Sequence, residues 1–130
     1  MEHTLEVYLA DKLLFHSDGK WLHPLLELDK FLSNKDYDRS LLLVKDKIVG
    51  RAAALLLIHL GIQNVNAGIL SKPGITVLKK HRIKYEYKEI VDRIQCRTEE
   101  MLKNEFDPNN AYKLINKLAS SANSKRTGNS

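Results

Sequence analysis

The stretch of residues 41–61, LLLVKDKIVGRAAALLLIHLG, constrains the fold of this chain more than any other part of it. It begins with a short apolar run at 41–44, whose length and composition are typical of a buried strand. Residues 50–60 are rich in alanine and leucine and too numerous for a strand, and Gly61 follows them as a helix C-cap would. We therefore predict a buried strand that is followed directly by a helix, with three charged residues, 45–47, at the junction. In open α/β sheets, ligands bind at such junctions, beside the helix N-termini.

The rest of the chain alternates between strand and helix patterns. Residues 5–16 show the alternation of a β-hairpin with one buried face. Further strands are predicted at 65–70 and 83–87, and helices at 21–32, 50–60, 72–81, 89–105 and 108–119. The order ββαβαβαβαα predicts parallel βαβ units with right-handed crossovers after the leading hairpin, and an extra C-terminal helix. We expect a three-layer α/β/α sandwich.

Length and composition indicate one globular domain. Of the 130 residues, 1–119 are expected to form the domain, whereas 120–130 have almost nothing to bury and are expected to form a disordered basic tail. No signal peptide is evident, and the longest apolar stretch, 52–60, is far shorter than the roughly 20 residues of a membrane span. A single cysteine excludes an internal disulfide and fits a reducing cytoplasm.

The net charge of +5 is concentrated in one segment. Residues 79–97 contain seven lysines and arginines and three acidic residues, a basic excess that could attract nucleic acid or a phosphorylated ligand. A solvated, lysine-rich surface explains the same charges. The segment therefore supports, as an alternative function, a non-catalytic domain that interacts with a protein or a nucleic acid.

Four segments resemble the bacterial and archaeal family labelled domain of unknown function 1893. They are GKWLHPLL at 19–26, DKIVGRAAA at 46–54, AGILS at 67–71 and the 77–83 segment with its His-Arg-Ile end; the second is the most specific. The similarity covers roughly residues 4–100. The resemblance implies a cytidine-deaminase-like fold and a site at the paired helix N-termini, and it implies no particular activity.

Zinc deaminase chemistry is not expected. True zinc deaminases begin one helix with a His or Cys ligand and a catalytic Glu, and the next with a Pro-Cys-x-x-Cys segment. The corresponding positions here, 46–47 and 71–74, contain neither cysteine nor histidine. His16, His23 and His81 are scattered without i, i+4 pairing, so no metal site and no cofactor are predicted. The family's Ile-x-Asn-Arg and Cys-Pro-Met-Glu segments are also altered here, because Cys96 replaces the Asn and no Cys-Pro follows.

Asp46 and Lys47 are the first candidate site residues. Asp46 could accept a hydrogen bond from a ligand or act as a base, but a helix N-cap is an equally good explanation for it. Lys47 would oppose the helix dipole, which suggests that it binds an anion; a side chain pointing into solvent is the alternative.

Gly50, Ser71 and Lys72 complete the candidate site. Gly50 would permit close packing or the approach of a ligand. Ser71 would cap the next helix and, as its strand neighbours that of Asp46, would lie beside it, with Lys72 as a second cation. We therefore expect a domain that binds a small anionic or nucleotide-like ligand, with catalysis by Asp46 left open. Self-association is a third option, and no membrane partner is expected.

Overall fold

The computed structural model describes residues 3–128, with side chains described as far as Ser121. The strands are β1 (Leu5–Leu9), β2 (Lys12–Ser17), β3 (Leu42–Val49), β4 (Asn64–Ser71) and β5 (Lys84–Val91). The helices are α1 (His23–Ser33), α2 (Arg51–His59), α3 (Lys72–Lys80), α4 (Arg97–Met101) and α5 (Pro108–Gly128), and a 3-10 turn (Arg39–Leu41) precedes β3. None of the helices in this described part is both long and apolar enough to cross a bilayer.

The five strands form one mixed sheet in the order β2-β1-β3-β4-β5. Strand β1 is antiparallel to both of its neighbours, β2 and β3, whereas β3, β4 and β5 are parallel. Helices α2 and α3 are the two crossovers between the parallel strands. The α/β class, the leading hairpin, the parallel βαβ units and the extra C-terminal helix are therefore confirmed.

The two faces of the sheet differ in chemistry because side chains alternate along each strand. On β3, Leu42 and Val44 are fully buried, whereas Lys45 is half-buried and Lys47 is exposed. The connections that contain α1, α2 and α3 all run in the same direction along the sheet. Because such crossovers are right-handed, the three helices lie on the Val44 face. There they share one core with the strands. The Lys45 face carries polar side chains.

Helix α5 forms a further layer over α2. Residues 51–57 of α2 are buried all round, because the sheet covers one side of the helix and Ala111 and Ile115 of α5 cover the other. At the end of α2, the His59 ring stacks on Tyr112 with 3.9 Å between ring centroids, and the Tyr112 hydroxyl donates to Asp29 of α1 at 2.6 Å. These contacts attach α5 to both helices.

Two predicted elements differ from the structure. The predicted helix at 89–105 is wrong. Glu89, Ile90 and Val91 continue β5, because β4 is long enough to pair with the whole of that strand. Within the predicted range, only the residues of α4 form an α-helix. Strand β3 continues five residues beyond the predicted end at Val44. The predicted disorder of residues 120–130 stays a prediction: the backbone is helical as far as Gly128, and residues 129–130 lie outside the described part.

Candidate functional site

A cavity of about 410 Å³ lies beside the carboxyl end of β3. Its wall is largely apolar and is formed by five parts of the chain: the residue before β1, the 19–22 turn, the end of β3, the first turn of α2 and the segment that follows β5. Asp46 and Lys47 contribute from β3, and Glu99 from α4. The other lining residues are Thr4, Gly19, Lys20, Trp21, Leu22, Ile48, Gly50, Ala52, Ala53, Ile94, Cys96 and Thr98.

Asp46 is the buried ionisable group of this cavity. Only 6% of it is exposed, and its Oδ1 accepts a long hydrogen bond of 3.4 Å from the backbone N–H of Ile48. Burial raises the pKa of Asp46 to about 7, although the backbone N–H groups of Ile48 and Lys47 act in the opposite direction. No side chain in the described part of the chain forms an ion pair with it. A carboxyl group with a pKa near neutrality can accept or donate a proton at physiological pH.

The N-terminus of α2 is capped by a carboxylate from elsewhere in the chain. The backbone N–H of Arg51 donates to Oε1 of Glu99 at 2.7 Å, and that of Ala52 donates to Oε2 at 2.6 Å. Gly50, the N-cap residue, provides no side-chain cap of its own. A Cβ atom at Gly50 would overlap the Glu99 carboxylate, so a residue without a side chain is required for this contact. The positive end of the α2 dipole is therefore neutralised from within.

The segment that brings Glu99 to α2 is attached at two further points. The indole N–H of Trp21 donates to Oγ1 of Thr98 at 3.0 Å. The buried Arg51 side chain donates from Nε to the carbonyl of Glu105 at 2.8 Å, and its guanidinium lies 4.2 Å from the centre of the Phe106 ring. We call residues 92–107 the covering segment, because it forms the outer wall of the Asp46 cavity.

A larger and more polar cavity, of about 930 Å³, lies on the other side of the covering segment. Lys72 lines it, and its Nζ forms an ion pair of 2.8 Å with the carboxylate of Asp92. This contact raises the pKa of Lys72 and lowers that of Asp92. Both side chains are exposed, which makes the pair a weak source of stability. Arg93 and Arg97 also line this cavity.

The predicted site residues are divided among three places. Asp46, Lys47 and Gly50 share the Asp46 cavity, whereas Lys72 belongs to the other cavity. Ser71 is fully buried and caps α3, since its Oγ accepts from the N–H of Gly74 at 3.0 Å.

Asp46 does not cap a helix, which was one of the two explanations for it, and the prediction that it lies beside Ser71 is wrong. Asp46 lies within β3, where it pairs with Ala67, while Ser71 pairs with Val91 on the far side of β4. The physical reason is the unexpected length of β3: the charged residues 45 and 47 point to the solvated face, so the strand continues through them. Lys47 is likewise a strand residue three positions before the N-cap, and the supposed conflict with the dipole does not arise.

Three residues of this site, Trp21, Thr98 and Glu99, are not among the predicted site residues. Thr98 and Glu99 fall within the predicted helix at 89–105, and Trp21 falls at the start of the predicted helix at 21–32, whereas the structure places it in the turn before α1 with 39% of it exposed. The Trp21 backbone has a φ of 57°, which a non-glycine residue rarely adopts. No local pattern in the sequence indicates a cap that is 48 residues away from the helix it serves.

Comparisons with known proteins establish the family. The family model described as "TM1506: Domain of unknown function (DUF1893)" matches residues 2–118, so the chain belongs to this family. Among solved structures, the crystal structure of a DUF1893 family protein (TM1506) from Thermotoga maritima is similar to this chain. It shares 25% sequence identity, with a TM-score of 0.77, over 86% of this chain and 78% of that one. The comparison with curated proteins gave no match.

Proposed function

We propose that this member of the DUF1893 family binds a small, largely apolar molecule in the Asp46 cavity, with a hydrogen-bond donor of the molecule directed at Asp46. The observation that carries this proposal is the buried carboxyl group of Asp46, which faces an apolar-walled cavity and has no cationic partner among the described residues. Buried carboxylates are usually paired, because an isolated charge is costly to desolvate. A ligand donor would supply the missing partner.

The dimensions of the cavity restrict the ligand. Its volume of about 410 Å³ is near the lower end of the range for small-molecule sites. Trp21, Leu22 and Ile94 offer apolar surface for a ring, and Asp46 can accept from adjacent N–H groups. A nucleobase or a nucleoside combines these features, which supports the nucleotide-like part of the predicted ligand.

The anionic part of the predicted ligand has less support. The two N–H groups at the start of α2 already bind the Glu99 carboxylate. A phosphate or a carboxylate of a ligand would have to displace Glu99 before it could reach them. We therefore assign the cavity to the neutral ring of a ligand, with Lys20 and Lys47 on its wall as the nearest cations in that lining.

A matched pair of variants tests this proposal. Thermal melts of the wild-type protein are recorded with a panel of nucleobases, nucleosides and nucleotides, and then repeated with Asp46→Asn and Asp92→Asn. We expect at least one member of the panel to raise the melting temperature of the wild type and of Asp92→Asn, and to leave Asp46→Asn unchanged. The proposal would be refuted if no member of the panel changed the melting temperature of the wild type. It would also be refuted if the panel changed the melting temperatures of the two variants equally.

The alternative role in binding a protein or a nucleic acid keeps the status of a prediction. The basic 79–97 segment does not form one surface, because it is divided among the end of α3, the edge strand β5 and the covering segment. On β5, Lys84 and Lys88 flank Glu86 on the same face. Binding of a polyanion with a steep dependence on salt concentration would support this role.

A further inference from the structure

The hairpin end of the sheet brings together two histidines and an aspartate: His3, His16 and Asp18. From this cluster we propose that the chain binds a divalent transition-metal ion of the Zn²⁺ type at these three residues. The cluster is separate from the Asp46 cavity, and none of its three members lines that cavity. The inference therefore stands independently of the proposed function.

The pairing of β1 with β2 sets the three positions. Leu5 pairs with Ser17 in the antiparallel register, so His3, two residues before Leu5, is brought to the end of β2. His16 and Asp18 flank Ser17, which is itself buried. The Oγ of Ser17 accepts from the N–H of Gly19 at 3.1 Å and orders the turn that follows. His16 thus extends from a paired strand, and Asp18 lies in the turn that Ser17 orders.

The distances are close to those of a metal site. One ligand atom from each of the three side chains lies within 4.8 Å of the other two. Nδ1 of His3 is 2.8 Å from Oδ1 of Asp18, and the rings of His3 and His16 stack with their centroids 4.0 Å apart. Ligands of a tetrahedral zinc ion at about 2.0–2.2 Å from the metal are separated by about 3.3–3.5 Å. Binding of the ion therefore requires the side chains to rotate from their present arrangement, in which the ligand atoms are up to 4.8 Å apart and the two rings are stacked.

Both carboxylates and lysines lie around the cluster, and Lys45 is the cross-strand neighbour of Glu6 on β3. Asp18 contributes a carboxylate to the cluster, and its Oδ1 lies within hydrogen-bond distance of Nδ1 of His3. Glu6 is the direct cross-strand neighbour of His16 and adds a second carboxylate near the ring. The positive charge of Lys47 also acts on Asp18 and opposes the binding of a cation. A set of two imidazoles and one carboxylate suits Zn²⁺ and leaves a coordination position for water.

Zinc titration of the untagged full chain tests the inference. Isothermal titration calorimetry is performed with Zn²⁺ in a non-chelating buffer near neutral pH, because metal affinity depends on pH. We expect one Zn²⁺ per chain. Substitutions His16→Gln and Asp18→Asn should each weaken binding by at least about tenfold, and His23→Gln, which alters a histidine outside the cluster, should leave it unchanged.

The same experiment can overturn the inference. Wild-type protein that takes up no Zn²⁺ would refute it, as would equal affinities in wild type, His16→Gln and Asp18→Asn. Equal losses in His23→Gln and His16→Gln would also refute it, because the ion would then bind elsewhere. His16 and Asp18 are both exposed, so their variants should fold; far-ultraviolet circular dichroism checks this, and His3→Gln replaces either variant that does not fold.

Discussion

Replacement of Glu99 by alanine is expected to destabilise the fold by about 2 kcal/mol. The substitution removes both acceptors of the N–H groups of Arg51 and Ala52, at 2.7 and 2.6 Å. Hydrogen bonds to a charged group contribute about 1.5–3 kcal/mol each, and loss of an N-cap typically costs about 0.5–2 kcal/mol. Glu99 is only partly buried, so water can reach the N–H groups that the substitution releases. The destabilisation is therefore expected towards the lower end of what these two contributions allow.

Glu100 provides a matched control on the next position of the same helix. Its Oε1 is 3.2 Å from Nζ of Lys103, and both side chains are largely exposed. Exposed helical pairs of this kind contribute about 0.3–0.5 kcal/mol. Glu100→Ala should therefore lower the free energy of unfolding by less than about 0.5 kcal/mol, although it removes the same charge from the same short helix.

Urea unfolding followed by circular dichroism gives the free energy of unfolding of both variants, and thermal melts followed by the same signal give their melting temperatures. For a chain of this size we expect a fall in melting temperature of about 8 °C for Glu99→Ala and of about 2 °C or less for Glu100→Ala. A third variant, Gly50→Ala, places a Cβ 2.7 Å from Cδ of Glu99 and should remove the same cap. Once Glu99 is alanine, the Gly50 substitution should add little to the loss, because the group that it displaces is gone. Equal losses for Glu99→Ala and Glu100→Ala, or additive losses for Gly50 and Glu99, would refute this account of the cap.

Three further predictions concern pH, charge and length. The pKa of Asp46 is raised from 3.8 to about 7 in the folded protein, so the folded state binds the extra proton and stability falls as the pH rises from about 4 to about 7, by up to about 4 kcal/mol. The free energy of unfolding of Asp46→Asn should not fall in this way. Urea unfolding of both proteins across that pH range measures the difference. Parallel pH profiles of the free energy of unfolding would contradict the burial argument. Lys47→Ala, at an exposed position on the opposite face of the sheet from Asp46, should change stability by less than about 0.5 kcal/mol and leave the affinity for a neutral ligand unaltered, as thermal melts with and without ligand would show; weaker binding would show that Lys47 contacts the ligand. Truncation after Ser121 should leave the free energy of unfolding within about 0.5 kcal/mol, and a shortened chain that does not fold would show that the end of α5 is required.

The sequence was sufficient for the core of the fold because its signals there are local. The apolar run at 41–44, the alanine-rich stretch after Gly50 and the Ser71 cap each occupy adjacent positions, and all three were placed in the correct type of element. The extent of β3 and β5 was not predictable in the same way. A strand continues as far as its neighbour can pair with it, and charged side chains are tolerated on a solvated face.

The candidate site could be predicted only in part, because its decisive contacts join distant residues. Asp46 and Gly50 were identified from the junction that they flank, and they do share a cavity. The contact of Glu99 with α2 spans 48 residues and that of Trp21 with Thr98 spans 77, so neither leaves a spacing that a sequence pattern could reveal. Proximity of His3 to His16 likewise follows from the hairpin register and not from helical spacing.

A fluorescence titration tests the central claim, ligand binding at Asp46, most directly. Trp21 is the only tryptophan of the chain, and it lines the Asp46 cavity, so its emission is a probe of that cavity. The titrant is the nucleobase or nucleoside that gives the largest thermal shift. The account predicts a saturable change in Trp21 emission in the wild type and in Asp92→Asn, with at least about tenfold weaker binding in Asp46→Asn, whose acceptor is altered. Emission that does not change in the wild type, or an equal affinity in Asp46→Asn, would contradict it.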